Sequence, residues 1–184
     1  MSALFLLSIG RVCSQGTISF ANSPGQEITN CNTGLKIPTG SGYVIGMYYG
    51  VAGTVDDSSL VLLATTGVAP VAGRFVGGTV TTPAATAPGG TCVIQIRAWS
   101  GGFANYDLAY AAASVDGTTV IGKSSRFNVT TGNPNPPVFT PAAPLTGLLP
   151  FQVGSFCMPE PSSVALALLG LMAVLFFRPR HARK

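Results

Sequence analysis

The segment Thr91-Cys92-Val93-Ile94-Gln95-Ile96-Arg97-Ala98-Trp99 has the least conformational choice in this chain. It is rich in β-branched and aromatic residues, and Pro88-Gly89-Gly90 and Gly101-Gly102 fence it at either end. In a strand, successive side chains point to opposite faces. Cys92, Ile94, Ile96 and Ala98 therefore share one face, and Val93, Gln95, Arg97 and Trp99 share the other. An apolar face backed by a mixed one is the pattern of a strand with a core on one side and water on the other. On that reading Ile96→Asp unfolds the domain, whereas Gln95→Asp is tolerated.

The same grammar repeats along residues 15–157. Further strands are predicted at Gly16–Asn22, Gly42–Tyr49, Ser59–Ala64, Arg74–Thr81, Leu108–Ala113, Val120–Thr130 and Leu148–Phe156, with Gly and Pro in the connections. Leu108–Ala113 is ambiguous, since its alanines also suit a short helix. Pro134, Pro136, Pro137, Pro141 and Pro144 forbid a ladder or a helix across residues 131–144, which reads as a stiff crossover. With 23 Gly and 14 Pro in 184 residues and few Glu, Lys or Arg, long solvated helices are not expected. The expected fold is all-β: an antiparallel β-sandwich, Ig-like or jelly-roll-like, followed by a single C-terminal hydrophobic helix.

The formal charge of +4 belongs to the ends of the chain. Between Gln15 and Pro159, five basic residues (Lys36, Arg74, Arg97, Lys123, Arg126) face five acidic ones (Glu27, Asp56, Asp57, Asp107, Asp116). No basic patch supports a nucleic-acid partner. His181 is the only histidine and lies in the last residues, so the body offers no Ser-His or Cys-His pair and no His-bearing zinc site. Paired carboxylates for glycoside hydrolysis remain conceivable among the five acids. Asp56-Asp57, however, sits in a polar stretch that reads as a solvated hairpin loop. No catalytic residue, metal site or cofactor is assigned.

Aromatics and cysteines give weaker signals. Tyr43, Tyr48, Tyr49, Trp99, Phe103, Tyr106 and Tyr110 read as packing residues before they read as a sugar-stacking platform. Trp99 and Phe103, flanking a Gly-Gly turn, are the best candidates for an exposed pair. Cys31 and Cys92 form a plausible disulfide, although an unpaired buried thiol explains Cys92 equally well.

The last residues have an order of their own. Met158-Pro159-Glu160-Pro161-Ser162-Ser163 leads into 14 apolar or small residues, Val164 to Phe177, and then Arg178, Pro179, Arg180, His181, Ala182, Arg183 and Lys184. At about 1.5 Å per residue the apolar run spans roughly 21 Å, less than the roughly 30 Å hydrocarbon core, and a run of that length is often a buried core helix. Its position just before four cations, Arg178, Arg180, Arg183 and Lys184, outweighs that reading, because such a stub stays on the cytoplasmic side and sets orientation. At the other end, apolar Ala3 to Ile9 followed by small residues suits a signal peptide over residues 1–14, cut after Ser14. No Lys or Arg precedes the apolar stretch, so the true start is expected upstream of Met1. A lipidated Cys13 is the weaker alternative.

Motif, apolar run and basic tail together resemble the bacterial PEP-CTERM sorting signal, with the motif at Pro159, Glu160 and Pro161 and a membrane helix over about residues 162–177. Gly16-Thr17-Ile18-Ser19-Phe20-Ala21-Asn22, Tyr43-Val44-Ile45-Gly46-Met47-Tyr48-Tyr49-Gly50 and Ile94-Gln95-Ile96-Arg97-Ala98-Trp99 resemble segments of small PEP-CTERM proteins of Verrucomicrobia-like bacteria. The resemblance implies export by the Sec machinery, transient anchoring in the inner membrane, processing by an exosortase, and delivery to the cell envelope or extracellular matrix. The expected role is non-catalytic and linked to exopolysaccharide or biofilm. A carbohydrate-binding module or a carbohydrate-active enzyme of the cell surface is the alternative.

Overall fold

A computed structural model describes residues 15–155. The sorting motif, the apolar run, the basic tail and the leader expected from the sequence all lie outside them. The described residues are mostly β-strand in antiparallel sheets, with one α-helix.

The strongest sequence pattern became the central strand. β6 (Thr91–Trp99) pairs antiparallel with β3 (Val44–Val51) along its whole length, and β3 pairs antiparallel with β4 (Val61–Gly67). On its other edge β6 is served by two short strands. β7 (Ile121–Lys123) covers its C-terminal half and β8 (Phe127–Thr130) its N-terminal half. The single strand expected over Val120–Thr130 is thus broken in the middle, and Ser124 is the reason. Its hydroxyl accepts the Ile96 N–H at 3.0 Å while its own N–H donates to the Ile96 carbonyl at 2.8 Å. A side chain replaces one rung of the ladder and the chain kinks there.

Two further pairs complete the architecture. β1 (Thr17–Ala21) runs antiparallel to β5 (Val76–Thr81), and β2 (Ile28–Asn30) runs parallel to β9 (Phe151–Val153). The parallel pair departs from the purely antiparallel expectation, and β2 was not anticipated, being too short to show a period. The Pro-rich segment is not a free crossover. Gly132 and Ala143 both bridge to β1, and between them Thr140 N–H donates to Asn133 O at 2.8 Å, closing a surface loop. Prolines interrupt the ladder there without preventing contact at the ends.

The core gathers Ile18, Phe20, Ile28, Ile45, Met47, Phe75, Ile94, Ile96, Leu145 and Leu148, all essentially inaccessible, around the Cys92/Ile94/Ile96/Ala98 face of β6. Fully burying a Phe or Ile contributes on the order of 2 kcal/mol. Asn22, also buried, ties the end of β1 to this core. Its side chain donates to Gln26 O and Gly73 O and accepts from the Phe75 N–H.

The mixed face of β6 is where expectation fails. Val93, Gln95, Arg97 and Trp99 are buried as well, and Val93 and Trp99 join Tyr48, Leu60, Tyr106 and Ala109 in a second cluster. Arg97 and Trp99 are covered by α1 (Tyr106–Asp116), where the sequence left strand and helix open over Leu108–Ala113, and Gln95 is engaged by Asp57 and Ser124. Asn105 caps its N-terminus, accepting the Leu108 N–H at 2.9 Å, and Gly117 ends it in the left-handed region at φ 63°. Ala109 and Ala113 turn inward, and small side chains let the helix lie close to the sheet. With Gln95 buried and fully engaged, Gln95→Asp is not a tolerated change.

Candidate functional site

Arg97 is the organising residue. Strand geometry points it to the same side as Gln95, and its Nε donates to Gln95 Oε1 at 2.8 Å. Nη2 donates to the Asp57 carbonyl at 2.6 Å, and Nη1 reaches Asp107 Oδ1 at 3.4 Å. The guanidinium carbon lies 4.0 Å from the Tyr48 ring centroid and 5.3 Å from that of Tyr106. Tyr48 in turn ties sheet to helix, its hydroxyl accepting the Tyr106 N–H at 3.0 Å.

Register explains how this group was assembled. Gly46 of β3 stands opposite Arg97, and its missing side chain leaves room for the Trp99 ring. Lys123 of β7 stands opposite Arg97 on the other edge. Two cations directly across from each other repel, and a carboxylate must intervene. Asp57, at the start of a single 3-10 turn (Asp57–Ser59), supplies it. Its Oδ2 accepts from Lys123 Nζ at 2.6 Å and from Gln95 Nε2 at 3.3 Å, and its Oδ1 lies 3.5 Å from Arg126 Nε. Burial alone pushes the Asp57 carboxyl up. The hydrogen bonds from Lys123 and Gln95 and the nearby cationic charges outweigh it and hold the group below its ordinary value. Asp57 is therefore an anchor of the cluster and not the solvated turn residue that its local sequence suggested.

Above this cluster is a cleft of about 230 Å³. Its floor is Arg97 and Tyr106, one wall is Asp57, Ser58 and Lys123, and the other is Asp107 and Tyr110 from the first turns of α1. Tyr106 and Tyr110 stand 6.2 Å apart between ring centroids, and Trp99 supports Tyr106 edge-on from below at 6.4 Å. Burial pushes the Tyr106 hydroxyl up to about 12, so it stays protonated at neutral pH. The volume lies below the ~300 Å³ lower bound of drug-sized pockets and suits one small polar ring or anion.

Several residues singled out from the sequence lie elsewhere. Trp99 is 0% exposed and donates its Nε1–H to Phe103 O at 3.0 Å, so Trp99 and Phe103 are not an exposed pair. Tyr48, Tyr49 and Tyr106 are buried, and of the aromatics at the cleft Tyr110 alone is open to solvent, at 58%. The Cys31–Cys92 disulfide is not formed. Cys92 is a buried free thiol in the main core, its Sγ 3.7 Å from the Val129 carbonyl, while Cys31 is disulfide-bonded elsewhere. Cys92 lies on the inner face of β6 because the strand's period puts it there. Asp116 serves structure, accepting the Thr118 and Thr119 N–H groups just after α1. Asp107 and Asp57, remote in sequence, meet at the cleft. Pro159, Glu160 and Pro161, with Arg178, Arg180, Arg183 and Lys184, lie outside the described residues.

Arg97 itself was missed as a site residue. One signal was available: a lone Arg, next to Gln95, inside an otherwise apolar strand ending in Trp. Among the described residues no cluster of His, Cys, Asp or Glu could hold a metal ion, and no helix is long and apolar enough to cross a membrane. No protein-family model matches the chain, and neither a curated protein nor a solved structure does.

Proposed function

We propose that this chain is an exported, non-catalytic protein of the cell envelope or extracellular matrix, and that the cleft between β6, the Asp57–Ser59 turn and α1 engages exopolysaccharide. The observation that carries the reading is the pairing of an exposed Tyr110 with a rigid polar floor built on Arg97. Sugars are bound by aromatic faces against their C–H surfaces and by fixed hydrogen-bonding groups around their hydroxyls. Here the polar groups are held by one another, which keeps them in position before any ligand arrives.

The remainder of the reading comes from the sequence. Residues 1–14 direct export through the Sec machinery, and Pro159-Glu160-Pro161, the apolar run and the basic tail form a PEP-CTERM signal for an exosortase at the inner membrane. The β-sandwich description, Ig-like or jelly-roll-like, is supported by the large core gathered on the inner face of β6.

A surface hydrolase is the second reading, because Asp57 and Asp107 line one cleft. Against it, Asp57 is held ionised by Lys123, Gln95 and Arg126, so it cannot donate a proton to a leaving group. The test is titration of the purified full-length protein with a panel of soluble polysaccharides, monitored for binding and for released reducing ends. Saturable binding without release, weakened about tenfold by Tyr110→Ala, is the expected result. Release of reducing ends that Asp107→Asn abolishes would replace the binding reading with the hydrolase one.

A further inference from the structure

Resting on that reading, we infer that the cleft selects an acidic glycan: a uronate carboxylate takes the place of Asp107 on Nη1 of Arg97 and lies beside Lys123. Arg97 has a side chain only 4% exposed, yet its one carboxylate partner, Asp107, is 79% exposed and 3.4 Å away. That geometry is too long and too wet to neutralise a buried guanidinium well. Its other hydrogen bonds go to a carbonyl and an amide oxygen and its faces meet two tyrosine rings, while the Asp57 carboxylate beside it is engaged by Lys123 and Arg126.

The local charges point the same way. Arg97 and Lys123 face each other directly across two strands, and Arg126 adds a third cation. Asp57 and Asp107 are the two carboxylates present, and Asp57 is already engaged by Lys123 and Arg126. The residues lining the cleft balance, two cations against two carboxylates, so when Asp107 swings aside the uncompensated charge is that of Arg97 on the floor. With Nε held by Gln95 and Nη2 by the Asp57 carbonyl, Nη1 is the donor left for a ligand, and its charge-assisted bond to a carboxylate is stronger than one to a sugar hydroxyl. Asp107 sits in the first turn of an exposed helix and is free to swing aside, with the water it gains compensating for the bond it loses. Tyr110, the open aromatic of the cleft, then stacks on the pyranose ring that carries the carboxylate, with Tyr106 in the floor beneath. This ring-sized space beside one open tyrosine favours a uronate over an acidic peptide, whose carboxylates hang from flexible chains with no flat face to stack.

The experiment titrates the full-length protein with oligogalacturonate, a neutral galacto-oligosaccharide of equal length and an oligoglutamate, at pH 7 and at low and high salt. Oligogalacturonate is expected to bind about tenfold more tightly than its neutral counterpart, with an advantage that shrinks as salt rises. Asp107→Asn removes the competing carboxylate without disturbing the buried floor. It should strengthen uronate binding several-fold and raise the ratio of uronate to neutral affinity, while Lys123→Met should lower that ratio. Equal affinity for acidic and neutral oligomers overturns acid selection and leaves the glycan reading standing. Tighter binding of oligoglutamate than of either glycan overturns the choice of ligand class. Binding of none of the three overturns the glycan reading and this inference with it.

Discussion

The Arg97 guanidinium lies 4.0 Å from the ring centroid of Tyr48, and the Tyr48 hydroxyl accepts the first free N–H of α1 at Tyr106. One aromatic side chain therefore supports the buried cation with its face and the helix with its edge. Tyr48 can reach both because it stands diagonally across from Arg97 in the β3–β6 register, next to Gly46, which contributes no side chain of its own.

Removing the cation should damage more than the cleft. Arg97→Met leaves the Asp57 carbonyl and the Gln95 amide without their donor, and it leaves Lys123 and Asp57 to rearrange. A loss of about 3 kcal/mol in urea unfolding is expected. Arg97→Lys should recover less than half of it, because an ammonium cannot reproduce the fork that reaches Gln95, Asp57 and Asp107 together. Recovery to the parent value by Lys would show that charge alone matters.

Gly46 should tolerate no side chain. A Cβ there would come within 2.9 Å of the Trp99 ring and 3.0 Å of Leu62 Cδ1, both in a packed cluster. Gly46→Ala is expected to cost about 2 kcal/mol and to change Trp99 fluorescence. Gly102→Ala, which meets nothing within 4 Å, serves as the control and should unfold like the parent.

The helix that covers β6 depends on its cap. Asn105→Ala removes the acceptor for the Leu108 N–H and should cost about 1 kcal/mol. Because the first two turns of α1 carry Tyr106, Asp107 and Tyr110, the same change should raise amide exchange in residues 106–110 more than in β6. Uniform exchange across helix and strand would deny α1 a separate opening.

Stability should fall at both ends of the pH scale, for opposite reasons. Burial raises Cys92 from 9.0 to about 11 and Tyr106 from 10.0 to about 12. Both groups ionise more readily in the unfolded chain. Their contribution is thus complete below pH 9 and is lost as pH rises towards 11 and 12. Asp57 is lowered from 3.8, so its contribution is present above that pH and is lost as pH falls through the depressed folded value. Denaturant midpoints across pH measure both limbs. Cys92→Ala should flatten the part between pH 9 and 11, and an unchanged alkaline limb would remove Cys92 as a cause.

At the C-terminal end, replacing Pro159, Glu160 and Pro161 together by Ala should leave a longer, membrane-retained product by intact mass. The expectation rests on the proposed sorting role and on the fixed φ of proline, which favours an extended segment for a processing enzyme to engage. Parent-like trimming of that variant would end the sorting role of the motif.

What the sequence determined by itself is the local bias of each segment. The period of two over Thr91–Trp99 and the flanking glycines made β6 a strand, and the same arithmetic placed Ile94 and Ile96 in the main core. Turn chemistry located β1, β3, β4 and β5 to within a few residues. A strand's period, however, says only that two faces differ. Whether the second face meets water depends on another element, and over Leu108–Ala113 the alanines favour a helix while the spacing between its neighbours also allowed a strand. Tertiary structure decided that they form α1, whose small inward residues let it close over Trp99 and Arg97. It also broke Val120–Thr130 at Ser124 and paired β2 with β9, since side-chain substitution for a ladder bond and a three-residue pairing leave no period to read. The cleft is wholly a product of that level. Asp57, Arg97, Asp107 and Lys123 are unremarkable in their own segments and gain their chemistry from burial and from each other.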